Sequence, residues 1–484
     1  MTGITLLGLG PGNPSHLTRE AWDVLNSADE IYLRTRQHPT VAHLPSSLDI
    51  HSFDDLYAQG RDFDEVYAQI VEKVLELGKR PHGVVYAVPG HPFVAEATCP
   101  EISRLAREQG FDLHIVEGLS FLEPVFSALG LDPCPHLTLF DALELSQVHT
   151  PLFPPDTPVL IAQIYSQLVA AEVKMTLLAV YPEEHPVCLV HSAGTMDQIV
   201  EELHLYQIDR SRHIGLLTVL YVSPLGQRTS FESFQEIVAR LRAPDGCPWD
   251  REQTHASLRM HMLEEAYEVL AALDSGDPTK LAEELGDLLL QIVLNAQIAM
   301  EAGEFTMADV LKNIHTKIIN RHPHVFADLK VDGVANVLTN WERLKHAERQ
   351  ANGTSAEGLL EGVPLALPSL IQAQEYQDRA ARVGFDWPAI EGVLDKIVEE
   401  IQEVRQTTNN EQLVDEVGDL LFALVNLARW KQIDAESALR GTNVRFKRRF
   451  AYVEQGASAM GRSLSDLSLD EMESLWQAAK HQGL

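Results

Sequence analysis

One pattern of carboxylates occurs twice in this chain, in the same order and with nearly the same spacing. Leu263-Glu264-Glu265-Ala266-Tyr267-Glu268-Val269 precedes Glu284-Leu285-Gly286-Asp287-Leu288-Leu289. Val398-Glu399-Glu400-Ile401-Gln402-Glu403-Val404 precedes Glu416-Val417-Gly418-Asp419-Leu420-Leu421. The offset is 135 residues at the first motif and 132 at the second. The difference falls in the connection, Ser275-Gly276-Asp277-Pro278 against Thr407-Thr408-Asn409-Asn410. Length changes belong in turns, so the pattern predicts a duplicated helix–turn–helix unit. The correspondence continues downstream. Lys317 and Arg321 match Arg445 and Arg449, each pair spaced i, i+4, and Trp341 and Lys345 match Trp476 and Lys480. Upstream, Trp249-Asp250 and Asp386-Trp387 stand in similar places.

Residues on an α-helix advance by about 100° each, so Glu264, Glu265 and Glu268 share a face. Glu284 and Asp287, three apart, share another. The adjoining apolar residues require the two helices to pack, and Gly286 permits close approach. Five carboxylates brought together repel, by several kcal/mol per pair at ~4 Å and intermediate dielectric. A hard divalent cation such as Mg²⁺ removes that repulsion and also binds phosphate oxygens. Lys317, Arg321 and Lys345, with Arg445, Arg449 and Lys480, would then reach the outer phosphates. Trp341 and Trp476 either stack on a base or pack in a core. A single glutamate-rich helix is ordinarily a solvated face. Four elements recurring twice in one order favour a site, in both copies or in one of two.

The remaining residues bound the architecture. Before residue 225 short β-rich runs alternate with helical stretches. Ile4–Leu9, Val84–Val88, Leu113–Val116, Val159–Ala162, Val187–His191 and Leu216–Val222 read as strands, and Asp64–Leu77, Val94–Gln109 and Phe121–Leu129 as helices. That alternation predicts a layered α/β region. Four prolines between Pro151 and Pro158 predict a hinge between two lobes. From Phe231 the pattern is helical, broken by a Gly- and Pro-rich stretch. The expected domains are 1–225 (α/β), 230–350 (all-α), a linker at 351–368, and 369–484 (all-α).

Lys plus Arg is 38 and Asp plus Glu is 70, a formal charge of −32. So acidic a chain is a poor partner for nucleic acid or an anionic membrane unless bound metal reverses the local field. Four cysteines without a C-x-x-C suggest neither a zinc ribbon nor a disulfide framework. The first residues lack a basic region, and no run of about 18 apolar residues occurs. The expectation is a cytoplasmic protein with no nucleic-acid or membrane partner.

E-E-x-x-E followed by E-x-x-D on consecutive helices resembles the MazG family of all-α nucleoside triphosphate pyrophosphohydrolases. Asp245-Gly246-Cys247-Pro248-Trp249-Asp250, Arg321-His322-Pro323-His324-Val325-Phe326 and Val383-Gly384-Phe385-Asp386-Trp387 are similar to segments of the same family. The resemblance spans about residues 230–484 and implies four-helix-type domains. It also implies Mg²⁺-dependent hydrolysis (with Mn²⁺ as a substitute) of nucleoside triphosphates to monophosphate and pyrophosphate. By position it makes Glu265, Glu268, Glu284 and Asp287 metal ligands in the first copy, and Glu400, Glu403, Glu416 and Asp419 in the second. Glu264 and Glu399 would orient a water or a metal ligand. Such hydrolases commonly complete their bundles across a dimer, which implies a homo-oligomer; the alternative is that the two repeats pair within one chain.

In the α/β region, Gly8-Leu9-Gly10-Pro11-Gly12 follows the first strand, a turn that lets a ligand approach the backbone. With Tyr86-Ala87-Val88-Pro89-Gly90-His91-Pro92, Val116-Glu117-Gly118-Leu119-Ser120-Phe121 and His191-Ser192-Ala193-Gly194-Thr195-Met196-Asp197-Gln198, it resembles the two-lobed tetrapyrrole methylases. That resemblance implies S-adenosylmethionine near Gly8, Gly10, Gly12, Pro89, Gly90, His91, Ser120 and Phe121. Many members have G-D-P where this chain has Gly90-His91-Pro92. The whole order resembles the YabN-type fusion proteins. The leading expectation is a pyrophosphohydrolase. The alternatives are a methyltransferase whose helical repeats serve oligomerisation or regulation, and a non-catalytic sensor.

Overall fold

The computed structural model describes residues 3–59, 62–327 and 358–484, with the isolated positions 329, 333, 337 and 344. It forms two compact units, Met1–Arg251 and Glu252–Leu484.

The first unit carries two five-stranded sheets. Its first sheet holds β1 (Gly3–Gly8), β2 (Glu30–Leu33), β3 (Asp49–Ser52), β4 (Val84–Val88) and β5 (Asp112–Val116). Their order is β3-β2-β4-β1-β5 and every pairing is parallel. Helices α1 (Arg19–Ser27), α2 (Asp54–Gln59), α3 (Phe63–Gly78) and α4 (Thr98–Glu108) connect these strands. A parallel sheet needs both faces covered. Ile4 and Leu6 accordingly pack with Ile70, Val74 and Ile102, while Leu7 packs with Ala21 and Leu25.

The second sheet has the order β6-β7-β10-β8-β9. It comprises β6 (Thr138–Asp141), β7 (Val159–Ala162), β8 (Pro186–His191), β9 (Ile199–His204) and β10 (Thr218–Val222). β6 runs parallel to β7, and the other pairings are antiparallel. Helix α5 (Leu122–Leu129) inserts Val125 against Leu160, Val190 and Val219. The opposite face is covered by α6 (Ala142–Ser146) and α7 (Gln167–Leu177).

The proline run is not the hinge that composition predicts. It lies between α6 and β7, inside the second lobe, and the chain passes between the sheets at residues 130–137. The prolines lack N–H groups but still offer carbonyls. Pro158 accepts from Thr138 N at 2.9 Å and Pro155 from Leu225 N at 2.8 Å, so the run joins the chain before β7 to the segments of its neighbours β6 and β10.

Helix α8 (Phe231–Arg242) and the short α9 (Pro248–Glu252) follow. Ser230 caps α8 and donates to Asp156 at 2.7 Å, tying it to the first unit. The second unit is helical. Its first half contains α10 (Arg259–Ser275), α11 (Pro278–Ala302), α12 (Met307–Arg321) and α13 (Pro323–Phe326). Its second half contains α14 (Ser369–Arg382), α15 (Ile390–Gln406), α16 (Asn410–Trp430), α17 (Ala435–Ala459) and α18 (Leu469–His481). The turn after α10 is built by Gly276 at φ +68° and by Asp277, whose carboxylate caps α11 at Thr279 N and Lys280 N. The matching turn has no glycine; Asn409 caps α16 at Glu411 N. α11 is long and apolar enough to cross a membrane by length and composition, yet it packs against α10 and α12.

Candidate functional site

The two helical hairpins each gather carboxylates. Between α10 and α11, one oxygen each of Glu265, Glu268 and Glu284 lies within 4.8 Å of the others. Burial lifts the Glu265 carboxyl above its ordinary value, and Asp287, Glu268 and Glu264 push it the same way. Asp287 therefore belongs to the same electrostatic neighbourhood. Between α15 and α16, Glu400 joins two such triplets, one with Glu399 and Glu403 and one with Glu416 and Asp419. Burial and the charges of Glu416 and Glu400 raise Glu403, while Lys396 opposes them.

The clusters differ in two respects. Glu400 is 3% exposed and its Oε2 has no hydrogen-bond partner. Lys396 lies 2.7 Å from both Glu399 and Glu400. Its counterpart at the offset of 135 is His261, 3.9 Å from Glu264. A buried, unpartnered carboxylate oxygen among like charges suits a hard cation. The donor set in both hairpins is all oxygen, which fits Mg²⁺ or Mn²⁺ rather than a soft metal.

Beside the second cluster lies a cavity of about 620 Å³. Lys396, Glu400 and Asp419 form its polar side, and Tyr376, Phe385, Trp387 and Phe422 contribute aromatic wall. At its rim Asp386 accepts from Arg429 at 2.6 Å, Trp387 N at 2.8 Å and Trp430 at 3.2 Å. Burial works against that carboxylate's charge, but these donors hold it below its ordinary value.

The cationic residues are placed differently from the carboxylates. Lys317 is exposed on α12, with Arg321 one turn on. Arg445 donates to Thr442 at 2.8 Å. Arg449 donates to the Leu484 carbonyl at 2.7 Å and stands 5.8 Å over the Trp476 ring. Trp476 packs against Phe446 at 5.1 Å. Lys480 is exposed on α18. Trp341 and Lys345 lie outside the described residues.

In the first unit a smaller cavity of about 200 Å³ is lined by Pro11, Pro89, Gly90 and Phe121, and also by Arg34 and His38. Gly10 and Gly90 exchange two backbone hydrogen bonds, of 3.2 and 2.8 Å. A Cβ on Gly8 would meet Gly90 O and Gly118 N, each at 2.6 Å, so a side chain there would force the loops apart. Gly12 sits at φ +127°. His91 accepts from Phe93 N at 3.0 Å, and Ser120 donates to Glu123 at 2.6 Å. His38 is buried with both ring nitrogens unpartnered. Burial pushes it down to about 4 despite the nearby Gly10 backbone. A glycine cradle beside an unpartnered buried imidazole suits a ligand with polar edges, as S-adenosylmethionine has.

Comparison with known proteins bears on both sites. The family model for Tetrapyrrole (Corrin/Porphyrin) Methylases matches residues 3–209. The model for the MazG nucleotide pyrophosphohydrolase domain matches residues 253–326 and 389–453. The protein described as "Uncharacterized protein YabN" from Bacillus subtilis (strain 168) is 40% identical over 99% of this chain and 98% of its own length. The chain belongs to the MazG family, in its fusion with a tetrapyrrole methylase domain. A "Nucleoside triphosphate pyrophosphohydrolase" of Escherichia coli (strain K12) is 44% identical over 51% of the chain and 95% of its own length. The "Nucleoside triphosphate pyrophosphohydrolase/pyrophosphatase MazG" of Thermotoga maritima is 41% identical over 52% of the chain and 95% of its own length.

Sequence reasoning found the carboxylates of both MazG repeats and missed their neighbours. Lys396 was accessible to it, standing three and four residues before Glu399 and Glu400 on one helix face. Phe385 and Trp387 belong to a quoted motif but carried no assignment. Phe422 and Gln377 had no local signal, because α14 and α16 meet only in the fold. His38 and Arg34 were likewise unmarked.

Proposed function

We propose that this protein is a metal-dependent nucleoside triphosphate pyrophosphohydrolase whose second MazG repeat carries the turnover. The observation that supports this most is the buried, unpartnered oxygen of Glu400 among four other carboxylates at the side of a nucleoside-sized cavity. In this reading Glu400, Glu403, Glu416 and Asp419 hold Mg²⁺, as Glu265, Glu268, Glu284 and Asp287 do in the first repeat. Bound there, Mg²⁺ would neutralise phosphate charge and lower the pKa of a water. Glu399, or Glu264 in the first repeat, orients that water and takes its proton. The water oxygen bonds to one phosphorus of the α–β linkage, the bridging P–O bond breaks, and monophosphate and pyrophosphate leave. Arg445, Arg449 and Lys480 contact phosphates, as do Lys317, Arg321 and Lys345 in the other copy. Lys396 exchanges its carboxylate partners for phosphate oxygen. The functional division is 1–225, 230–350, 351–368 and 369–484.

The test is a panel of NTPs and dNTPs with Mg²⁺ or Mn²⁺, with product analysis. Pyrophosphate release is expected, and orthophosphate as the sole inorganic product overturns the proposal. Exposed Leu311, Ile314, Ile318 and Ile319 on α12 leave an apolar surface that supports a homo-oligomer. The cavity at His38 supports a second activity, S-adenosylmethionine binding with methyl transfer to an acceptor. Calorimetry with S-adenosylmethionine tests it, and an absence of binding removes it.

A further inference from the structure

Asp386 lines the aromatic cavity of the second repeat from a loop that is fixed on both sides of it. After α14, Gly384 at φ +87° turns the chain, and Phe385 N donates to the Ala380 carbonyl at 3.0 Å. Beyond Asp386, Trp387 lies so close over Gly392 that a Cβ there would meet its ring at 2.9 Å. The donors from Arg429, Trp387 N and Trp430 all converge on one carboxylate oxygen, Oδ1. Among the described residues none reaches Oδ2, and the side chain keeps 24% of its surface open. The same donors keep the group ionised, and an ionised carboxylate accepts at both oxygens and donates from neither. Asp386 thus offers the cavity one oriented, charged acceptor that is still unpaired.

Its charge decides which part of a nucleotide it can meet. It repels phosphate, which is drawn instead to Lys396 and to a cation held by Glu400 and Asp419. The base has two π-faces and fits the aromatic wall of Tyr376, Phe385, Trp387 and Phe422. The ribose joins the two and is left at the polar rim, where its O–H groups can donate. A guanine edge offers a pair of adjacent N–H donors that takes both carboxylate oxygens, and Oδ1 is already filled. We infer that Asp386 Oδ2 is the sugar-reading group of the second MazG repeat, accepting an O–H from the ribose of the bound nucleotide. This rests on the pyrophosphohydrolase reading and adds the sugar contact to it. A sugar stripped of both hydroxyls loses a charge-assisted hydrogen bond, which water at the open rim replaces only in part.

The experiment compares wild type with two variants. Asp386→Asn keeps the shape and an oxygen for Arg429 but loses the charge, and Asp386→Ala removes the acceptor. Each is assayed on ATP against 2′,3′-dideoxy-ATP, and on CTP against 2′,3′-dideoxy-CTP. The wild type is expected to prefer the ribonucleotide roughly tenfold in kcat/KM with either base, the lower end of what a hydrogen bond to a charged group is worth. Asp386→Asn is expected to shrink that ratio and Asp386→Ala to bring it close to one, whatever activity remains. A purely structural Asp386 would slow both sugars equally and leave the ratio intact. A wild type that treats the two sugars alike, a ratio that survives in both variants, or a preference that follows the base instead of the sugar overturns the inference. Calorimetry with AMP and 2′,3′-dideoxy-AMP measures the same ratio without turnover. Sugar discrimination that Asp386→Ala abolishes there, in a protein that releases no pyrophosphate, counts against the pyrophosphohydrolase reading alone.

Discussion

The two carboxylate hairpins were built from one pattern and arrive at different environments. In the first, a half-buried Glu265 faces Glu268, Glu284 and Asp287, and the residue at the position of Lys396 is His261, 3.9 Å from Glu264. In the second, Glu400 is buried, Lys396 pairs with two of the carboxylates, and a cavity of about 620 Å³ adjoins them. One helix outside the hairpin shapes the second environment. α14 packs against α16 and α17 and walls the second cavity. The second pocket thus depends on a helix that lies outside the duplicated motif.

The comparison is broken most directly by removing one carboxylate from each copy. Glu400→Ala is expected to lower pyrophosphate release by more than a hundredfold, whereas Glu265→Ala lowers it by a few-fold or less. Equal losses in the two variants would make the repeats functionally equivalent. Thermal unfolding should run the other way, with Glu400→Ala raising the Tm of the metal-free protein through relief of like-charge repulsion.

The next largest effect concerns the built-in cation. Lys396→Ala is expected to tighten Mn²⁺ binding at the second site several-fold without nucleotide, and His261→Lys to weaken it at the first. Titration of Mn²⁺ by electron paramagnetic resonance reads both, and no change in either variant would separate Lys396 from metal binding.

A smaller effect is expected in the pH dependence of stability. Glu265 and Glu403 have folded pKa values above their unfolded ones. The folded state therefore binds more protons just above the ordinary carboxylate range, and stability falls as pH rises through that window. Mg²⁺ should cancel the fall, so the Mg²⁺-induced rise in Tm is expected to be larger at pH 7 than at pH 4.5. A rise independent of pH would disconnect these carboxylates from the metal. The smallest effect is at the tie between the repeats. Arg440 of α17 pairs with Asp274 of α10 at 2.9 Å, and Asp274 is largely exposed. A double-mutant cycle on the two is expected to give at most about 1 kcal/mol.

Much of the architecture was legible in the sequence where a pattern is local. Six strands and three helices of the first unit follow from apolar runs such as Val84–Val88. The strands β2, β3, β6 and β9 were not seen. The first three are only four residues long, and β9 carries Glu201 and Glu202 at an edge, so none has an apolar run of four. The proline run misled because proline scarcity of N–H groups is visible in a sequence, whereas the use of its carbonyls by Thr138 and Leu225 is not. The metal-type carboxylates were legible because helical periodicity sets them on one face. The cavity was not, since Gln377, Trp387 and Phe422 come from separate segments and share no period.

The paired hydrogen bonds between Gly10 and Gly90 have a thermodynamic consequence for the first unit. The two loops they join are fastened to one another through the backbone, with Gly8 and Gly118 packed tightly beneath. A ligand entering beside them has few torsions left to freeze, so its association should carry a small ordering penalty. Calorimetry should then find the heat-capacity change set by apolar surface covered, without the larger decrement that accompanies loop folding.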